Sequence, residues 1–299
     1  MNQPHQHFQE QRIELGVESA NLNAWQMRAN LGATEWRSAV NDLRMLPYFA
    51  TLQSDPYTSR AYTKPRGYPG DAVMLDYLYT FHPGDAAPNL DANVHRIFQY
   101  TINSSAGKAV RFRRKFLANL IDDTANRHAD VRILSIAAGH LREVELSSAL
   151  TWGKVKEIVA FDQDEESLKV IDRDYAHLPI RTVPGTVRHL LVGKTALGQF
   201  HLVYAAGLFD YLDDDIAKRL IQRMWAMTLP GGRAMIANFM PDIPDVGYME
   251  AFMDWWLIYR DGTQVQALFS DIPAAEIAEM RVEFDPGRNI CFLVAQRAL

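Results

Sequence analysis

The sequence predicts a doubly wound α/β fold, in which a seven-stranded, mostly parallel sheet ends on an antiparallel hairpin and follows a helical N-terminal region. Three observations predict it. Residues 1 to about 128 show helical spacing of apolar side chains and no convincing strand alternation. From Val131 onward, short apolar runs alternate with helical patterns, which is the signature of parallel βαβ units. The chain closes on two strand-like runs, Glu279–Phe284 and Asn289–Gln296, joined by DPGR with its turn written in.

In the N-terminal part, Phe8 to Leu31 reads as a modest amphipathic helix with Phe8, Ile13, Leu15, Val17, Leu22 and Trp25 as its apolar positions. Trp36, Val40, Leu43 and Leu46 give a cleaner helix that stops at Pro47. Ser54 to Asp71 is dense in Pro, Gly and aromatic residues and predicts a stiffened loop. Ala72–Thr80 predicts a helix, and Asp91 to about Asp123 a long helical region bearing RFRRKF. That basic run predicts a solvated helix face, with the i,i+4 pair Phe112 and Phe116 turned inward.

In the second half, five strands are expected at Arg132–Ile136, Glu157–Phe161, Ile180–Val183, Phe200–Ala205 and Arg233–Phe239. Helices are expected over LREVELSSAL after the first strand, over Glu165–Ala176, over Asp214–Thr228 up to the breaker LPGG, and over Tyr248–Tyr259.

At 299 residues and 48% hydrophobic, the chain can bury a full core. A formal charge of -5 argues against a generally electrostatic nucleic-acid partner. One cysteine, Cys291, leaves no internal disulfide and reads as an inert thiol in a buried strand. His5, His7, His82 and His95 lack ligand spacing, so no metal site is expected. Neither a signal peptide nor a membrane span is apparent, and a cytoplasmic location is expected.

The chemistry points to VRILSIAAGHLRE (Val131–Glu143) and its answering segment EIVAFDQD (Glu157–Asp164). A strand, a small-residue turn, a helix and a second strand ending in Asp162 make a nucleotide-binding unit. The turn lets backbone N–H groups approach a ligand, and the carboxylate can accept both ribose hydroxyls. A helix-capping role for Asp162 is the competing reading, but Asp164 stands closer to the helix start. A dinucleotide site prefers G-x-G-x-x-G, whereas the turn here holds one glycine, Gly139, which disfavours a pyrophosphate. A ligand without phosphate, an adenosine joined to an amino acid, needs less close approach.

With HLVYAAGLFDYL in the fourth strand and LPGG before the fifth, residues 131 to 299 resemble a class I S-adenosylmethionine-dependent methyltransferase. KPRGYPGD (Lys64–Asp71), ILSIAAGHLREVE (Ile133–Glu145) and DWWLIYRD (Asp254–Asp261) are similar to the bacterial subfamily that methylates 3-hydroxy fatty acid carboxylates to make ester signals. Ser135 and Ala137 replace the acidic residue and first glycine usual in that fold.

The resemblance implies a Rossmann-like domain over 129–299 that binds S-adenosylmethionine, with residues 1–128 as a helical lid over cofactor and substrate. Ala137, Ala138 and Gly139 would approach the methionine part, with Glu143 a substitute holder of its amine. Asp162 would chelate the ribose, Gln163, Thr186 and Val187 would border the adenine, and Ala205 to Gly207 would meet the methionine end. The lid would bring Tyr62, Arg66 and Tyr68.

The implied reaction is methyl transfer to a small molecule at a carboxylate or hydroxyl oxygen. A carboxylate is already ionised and needs a cationic clamp more than a base. Arg66 and Arg260 are the candidates, the latter beside Trp255, Trp256 and Tyr259. Arg260 reads equally as a surface arginine ending a helix, and Tyr68 and Tyr259 equally as packed core residues. For an alcohol or amine, His140 is the best-placed base. The alternatives are a cyclase that forms azetidine-2-carboxylate with release of methylthioadenosine, and a catalytically silent binding protein. The partner is a small molecule, and both monomer and homodimer are compatible with the sequence.

Overall fold

The computed structural model describes residues 2–9, 12–81 and 90–299, and His82 lies outside them. Eight helices come first: α1 (Asn2–Gln9), α2 (Ile13–Asn30), α3 (Ala33–Arg44), α4 (Tyr48–Leu52), α5 (Pro56–Thr63), α6 (Ala72–Thr80), α7 (Ala92–Ile102) and α8 (Ser105–Arg127). There follow β1 (Val131–Ile136), α9 (Ser148–Thr151), β2 (Val155–Asp162), α10 (Glu165–Asp174), β3 (Ile180–Pro184), α11 (Val187–Leu191) and β4 (Phe200–Ala205). The chain ends with α12 (Asp214–Ala226), β5 (Thr228–Phe239), α13 (Val246–Phe252), α14 (Gly262–Ala267), β6 (Ile277–Phe284) and β7 (Ile290–Arg297).

These elements form two compact units. One comprises 1–111 with 242–256, the other 112–241 with 257–299. The division between them falls inside α8, and the segment 242–256 from the far end of the sequence belongs to the helical unit.

In the helical unit, α2 buries small residues, Gly16, Val17, Ala20 and Ala24, while Leu15 and Leu22 stay exposed. The small face lets α13 come close: a Cβ on Gly247 would stand 2.4 Å from the Ala24 backbone. Glu250, buried on α13, accepts hydrogen bonds from Trp36 Nε1 and Arg28 Nε. The expected loop at Ser54–Asp71 is half helix, because Asp55 caps α5 through Tyr57 N and Thr58 N with Pro56 at the first position. The true loop runs from Lys64, which ends α5 at φ 49, to Asp71, which caps α6 through Met74 N. The Asp55 carboxylate also accepts from the Thr58 and Thr101 hydroxyls, and complete burial pushes it up to about 6.

The second unit is a seven-stranded sheet in the order β3-β2-β1-β4-β5-β7-β6. The first five strands are mutually parallel, and β7 runs antiparallel to both β5 and β6. Helices cover both faces, so β1 reads as a nearly continuous apolar run with Val131, Ile133, Leu134 and Ile136 all buried. Phe112 and Phe116 of α8 do turn inward and meet Phe292 of β7, the second at 4.5 Å between ring centroids. Truncating a fully buried phenylalanine such as Phe292 costs about 3–5 kcal/mol. Cys291 is buried in β7, and desolvation pushes its thiol up to about 12.

Four further local expectations change. The region Asp91–Asp123 is two helices, broken at Asn103 and Ser104. The helix expected after β1 shrinks to a 3-10 turn at Arg142–Leu146 and the single turn α9. LPGG lies inside β5 as an irregularity between the pairs Phe200–Thr228 and Leu202–Arg233, with Gly231 at φ 74. The helix expected over Tyr248–Tyr259 stops at Phe252, since Asp254 takes φ 46 and its carboxylate accepts from Arg44, Lys64 and Trp256 Nε1. The segment beyond has no regular secondary structure, and Asp261 then caps α14, a helix the periodicity did not announce.

Candidate functional site

Parallel strands β1 and β4 are neighbours, but the chain runs from β1 outward to β3 before returning to β4. Their carboxyl ends therefore flank the point where strand order reverses, the crevice in which open α/β sheets bind ligands.

The turn after β1 is wound left-handed at alternate residues: Ala137 at φ 54, Gly139 at φ 56 and Leu141 at φ 54. An alanine thus holds a conformation that favours glycine, at a cost of about 1–2 kcal/mol. The turn is pinned from β2, where Gly139 N donates to Asp162 Oδ2 at 2.8 Å and Ala138 N to Phe161 O at 3.3 Å. The other Asp162 oxygen accepts from Asp164 N at 2.8 Å, while Asp164 itself caps α10 through Glu166 N. Asp162 is 6% exposed, and desolvation raises its pKa against the pull of these amides.

Glu143, in the 3-10 turn, is buried with its Oε1 accepting from Tyr204 Oη at 2.6 Å. Tyr204 is paired with Ser135 across β1 and β4. Burial raises the Glu143 pKa, an effect that this hydrogen bond and the charges of Arg113 and Arg114 oppose. The serine that replaces the usual acidic residue thus shares a buried polar cluster with a carboxylate eight positions later.

The basic run on α8 is not a solvated face. Arg113 is 6% exposed and donates from Nη1 to Ala206 O at 2.9 Å, just beyond β4. Arg114 donates to Arg142 O and pairs with Glu145. Nearby, Asp210 is buried, accepts from Phe239 N at 2.7 Å, and is pushed by desolvation up to about 6.

Ala137, Ala138, Gly139, His140, Glu143, Asp162, Ala205 and Gly207 come together at the carboxyl edges of β1, β2 and β4, with His140 buried. Gln163 is exposed just past β2, and Thr186 caps α11 past β3 with Val187 as its first residue. Tyr62, Arg66 and Tyr68 belong to the helical unit, where Tyr62 packs edge-on against Phe49 with Arg44 over its ring. Tyr259 is half-buried in the irregular segment before α14.

Arg260 is a correction on both earlier readings. It is 3% exposed, not on the surface, and it precedes a helix instead of ending one. Its five N–H groups all have partners: Nε and Nη2 donate to Asp214 Oδ1, Nη1 to Phe209 O and Asn238 Oδ1, and Nη2 also to Leu212 O. No donor remains to clamp a carboxylate. The aromatics expected around it are elsewhere. Trp256 lies under Arg37 at 4.6 Å, and Trp255 lines a helical-unit cavity of about 20 Å³, room for about one water.

The sequence matches no protein-family model and no curated protein. Among solved structures, a protein of Bordetella parapertussis described as a possible exported protein aligns over 97% of both chains at 18% identity, with a TM-score of 0.70. Magnesium protoporphyrin IX methyltransferase (ChlM) of Synechocystis PCC 6803, solved with bound S-adenosylhomocysteine, aligns over 80% of this chain and all (100%) of its own at 11% identity and TM-score 0.50. The pyocyanin biosynthetic protein PhzM aligns over 87% of this chain and 76% of its own at 17% identity and TM-score 0.50. These likenesses are of fold: a seven-stranded mixed sheet with an antiparallel C-terminal edge.

Proposed function

We propose that this protein binds S-adenosylmethionine at the β1–β4 crevice and transfers its methyl group to a small-molecule oxygen, a carboxylate before a hydroxyl. The observation that carries the reading is Asp162. It is a buried carboxylate ending the strand beside the switch point, held by the backbone of Gly139 and Asp164 and still offering lone pairs to a diol. Its raised pKa marks a group that gains from additional donors. Bound S-adenosylmethionine supplies a methyl carbon activated by the adjoining sulfonium.

The residues of the crevice bind and orient. Asp162 would take the ribose, Gln163, Thr186 and Val187 would border the adenine, and Ala137 to Gly139, Ala205 and Gly207 would line the methionyl end. His140 would hold a proton only for an acceptor that needs deprotonation. Tyr62, Arg66 and Tyr68, with Tyr259, are proposed to act on cofactor retention and turnover. Replacing Lys64–Asp71 by a flexible linker without changing either would remove Arg66 and Tyr68 from the proposal.

Calorimetry with S-adenosylmethionine and S-adenosylhomocysteine tests the cofactor. Binding to the wild type, weakened about tenfold or more in Asp162→Asn, is expected; no binding to the wild type sinks the reading. Incubation with S-adenosylmethionine alone, followed by mass spectrometry, tests the chemistry. No turnover until an acceptor is added supports transfer, whereas methylthioadenosine formed without one replaces it with cyclisation.

A further inference from the structure

We propose that Arg113 and Glu143 form a paired receptor for an α-amino acid group, Arg113 taking the carboxylate and Glu143 the ammonium. The proposal rests on the cofactor reading above and names what holds the methionyl tail.

Arg113 stands on the apolar stripe of α8, between Val110 and Leu117, which are both buried. A guanidinium remains charged at any accessible pH and carries five donors. Among the described residues, its one hydrogen bond goes to Ala206 O, and it forms no ion pair. Four of its N–H groups are therefore unanswered by protein, and since neither Nε nor Nη2 is among the sealed, unpartnered polar atoms, they remain accessible to a ligand. The planar fork suits a carboxylate, which can bind it through two parallel hydrogen bonds.

Gly207 lies beside the same guanidinium. A Cβ at that position would sit 3.5 Å from Arg113 Nη1 and 3.9 Å from Nη2, at ordinary contact distance, so the residue after the end of β4 borders the cation.

Glu143 supplies the opposite charge. Tyr204 fixes one of its oxygens, and among the described residues no cation forms an ion pair with it. Arg113 is near enough for its charge to act on Glu143, yet the two do not bond directly. A cation and an anion held apart at the ends of adjacent strands are complementary to a ligand that carries an ammonium and a carboxylate on one carbon. Tyr204 acts as a positioning residue, since its hydroxyl orients the Glu143 carboxylate.

The test is calorimetry with three probes. S-adenosylhomocysteine carries both charges, its decarboxylated amine analogue carries only the ammonium, and 5′-methylthioadenosine carries neither. Arg113→Gln is expected to weaken S-adenosylhomocysteine by about thirtyfold or more while sparing the other two. Glu143→Gln is expected to weaken both ammonium-bearing probes and spare methylthioadenosine. Arg113→Lys should recover part of the loss, because it keeps the charge without the fork. If Arg113→Gln weakens all three probes equally, Arg113 only supports the fold and the proposal falls. If wild-type protein binds methylthioadenosine as tightly as S-adenosylhomocysteine, the nucleoside site stands and the tail receptor is wrong. If it binds none of the three, the cofactor reading fails as well.

Discussion

Arg260 and Arg113 are both buried at the carboxyl side of the central strands, yet their surroundings are opposite. Around Arg260, past β5, a carboxylate, an amide and two backbone carbonyls answer every N–H. Around Arg113, past β4, one carbonyl answers one N–H. The first arginine is a fastener that ties the Phe209–Leu212 turn and the start of α12 to the irregular segment before α14. The second is largely buried but keeps unbonded donors that are not sealed off from solvent, which is what the proposed receptor requires. Burial alone does not separate structural from functional charges; the count of answered donors does.

Four measurements would break or sharpen that contrast. The largest effect is expected for Arg260→Met, which leaves the Asn238 amide oxygen and two backbone carbonyls without a donor and should lower the unfolding free energy by about 3–5 kcal/mol. Arg113→Met should cost less than about 2 kcal/mol without ligand. Equal losses in urea denaturation would erase the distinction.

Next is pH. The carboxyls of Asp210 and Asp55 are both raised from 3.8 to about 6. A raised folded-state pKa contributes stability that is complete below 3.8 and lost as pH rises through about 6. Each site should account for about 3 kcal/mol between pH 3.8 and 7. Asp210→Asn is expected to flatten its share of that slope, and an unchanged profile would mean that Asp210 is already ionised near pH 4.

A smaller loss, about 1–3 kcal/mol, is expected for Tyr204→Phe at pH 7, because it removes the donor from a buried carboxylate. Adding Glu143→Gln should recover part of it, so strictly additive losses in this double-mutant cycle would argue that the two side chains do not interact. The smallest change should be a gain: Ala137→Gly relieves a left-handed alanine and is expected to add about 0.5–1 kcal/mol, net of greater unfolded-state freedom. A loss there would show that the turn is not strained.

The sheet was legible because parallel strands buried on both faces carry apolar runs that β1, β2 and β4 display openly. The helix after β1 was not, because REVELSSAL has helical spacing while Leu141 at φ 54 and the Ser147 cap divide it. Asp162 could be singled out from its place at a strand end. Arg113 was hidden by RFRRKF, where a run of charge suggests a wet surface. The signal lay in register: Val110, Arg113, Leu117, Leu120 and Thr124 fall on one helical stripe, so position 113 is an interior position occupied by a cation. Tyr204 passed as one more apolar strand residue, since its partner Glu143 is distant in sequence. Arg260 was misplaced because WWLIYR has helical character locally, whereas Asp254 at φ 46 ends the helix first.

The helical unit draws one of its layers from a segment that the chain reaches only after crossing most of the sheet. Trp36 meets Glu250 across 214 positions and Arg44 meets Asp254 across 210. During synthesis, the small-residue face of α2 must therefore wait while more than 200 residues emerge, exposing Val17, Ala20 and Trp36 for about ten seconds or longer. Nascent chains stalled before Asp242 should remain protease-sensitive across α2 and α3, and gain protection once α13 has cleared the ribosome. The first half of this protein is thus translated first but completed only after five strands of the sheet have been made.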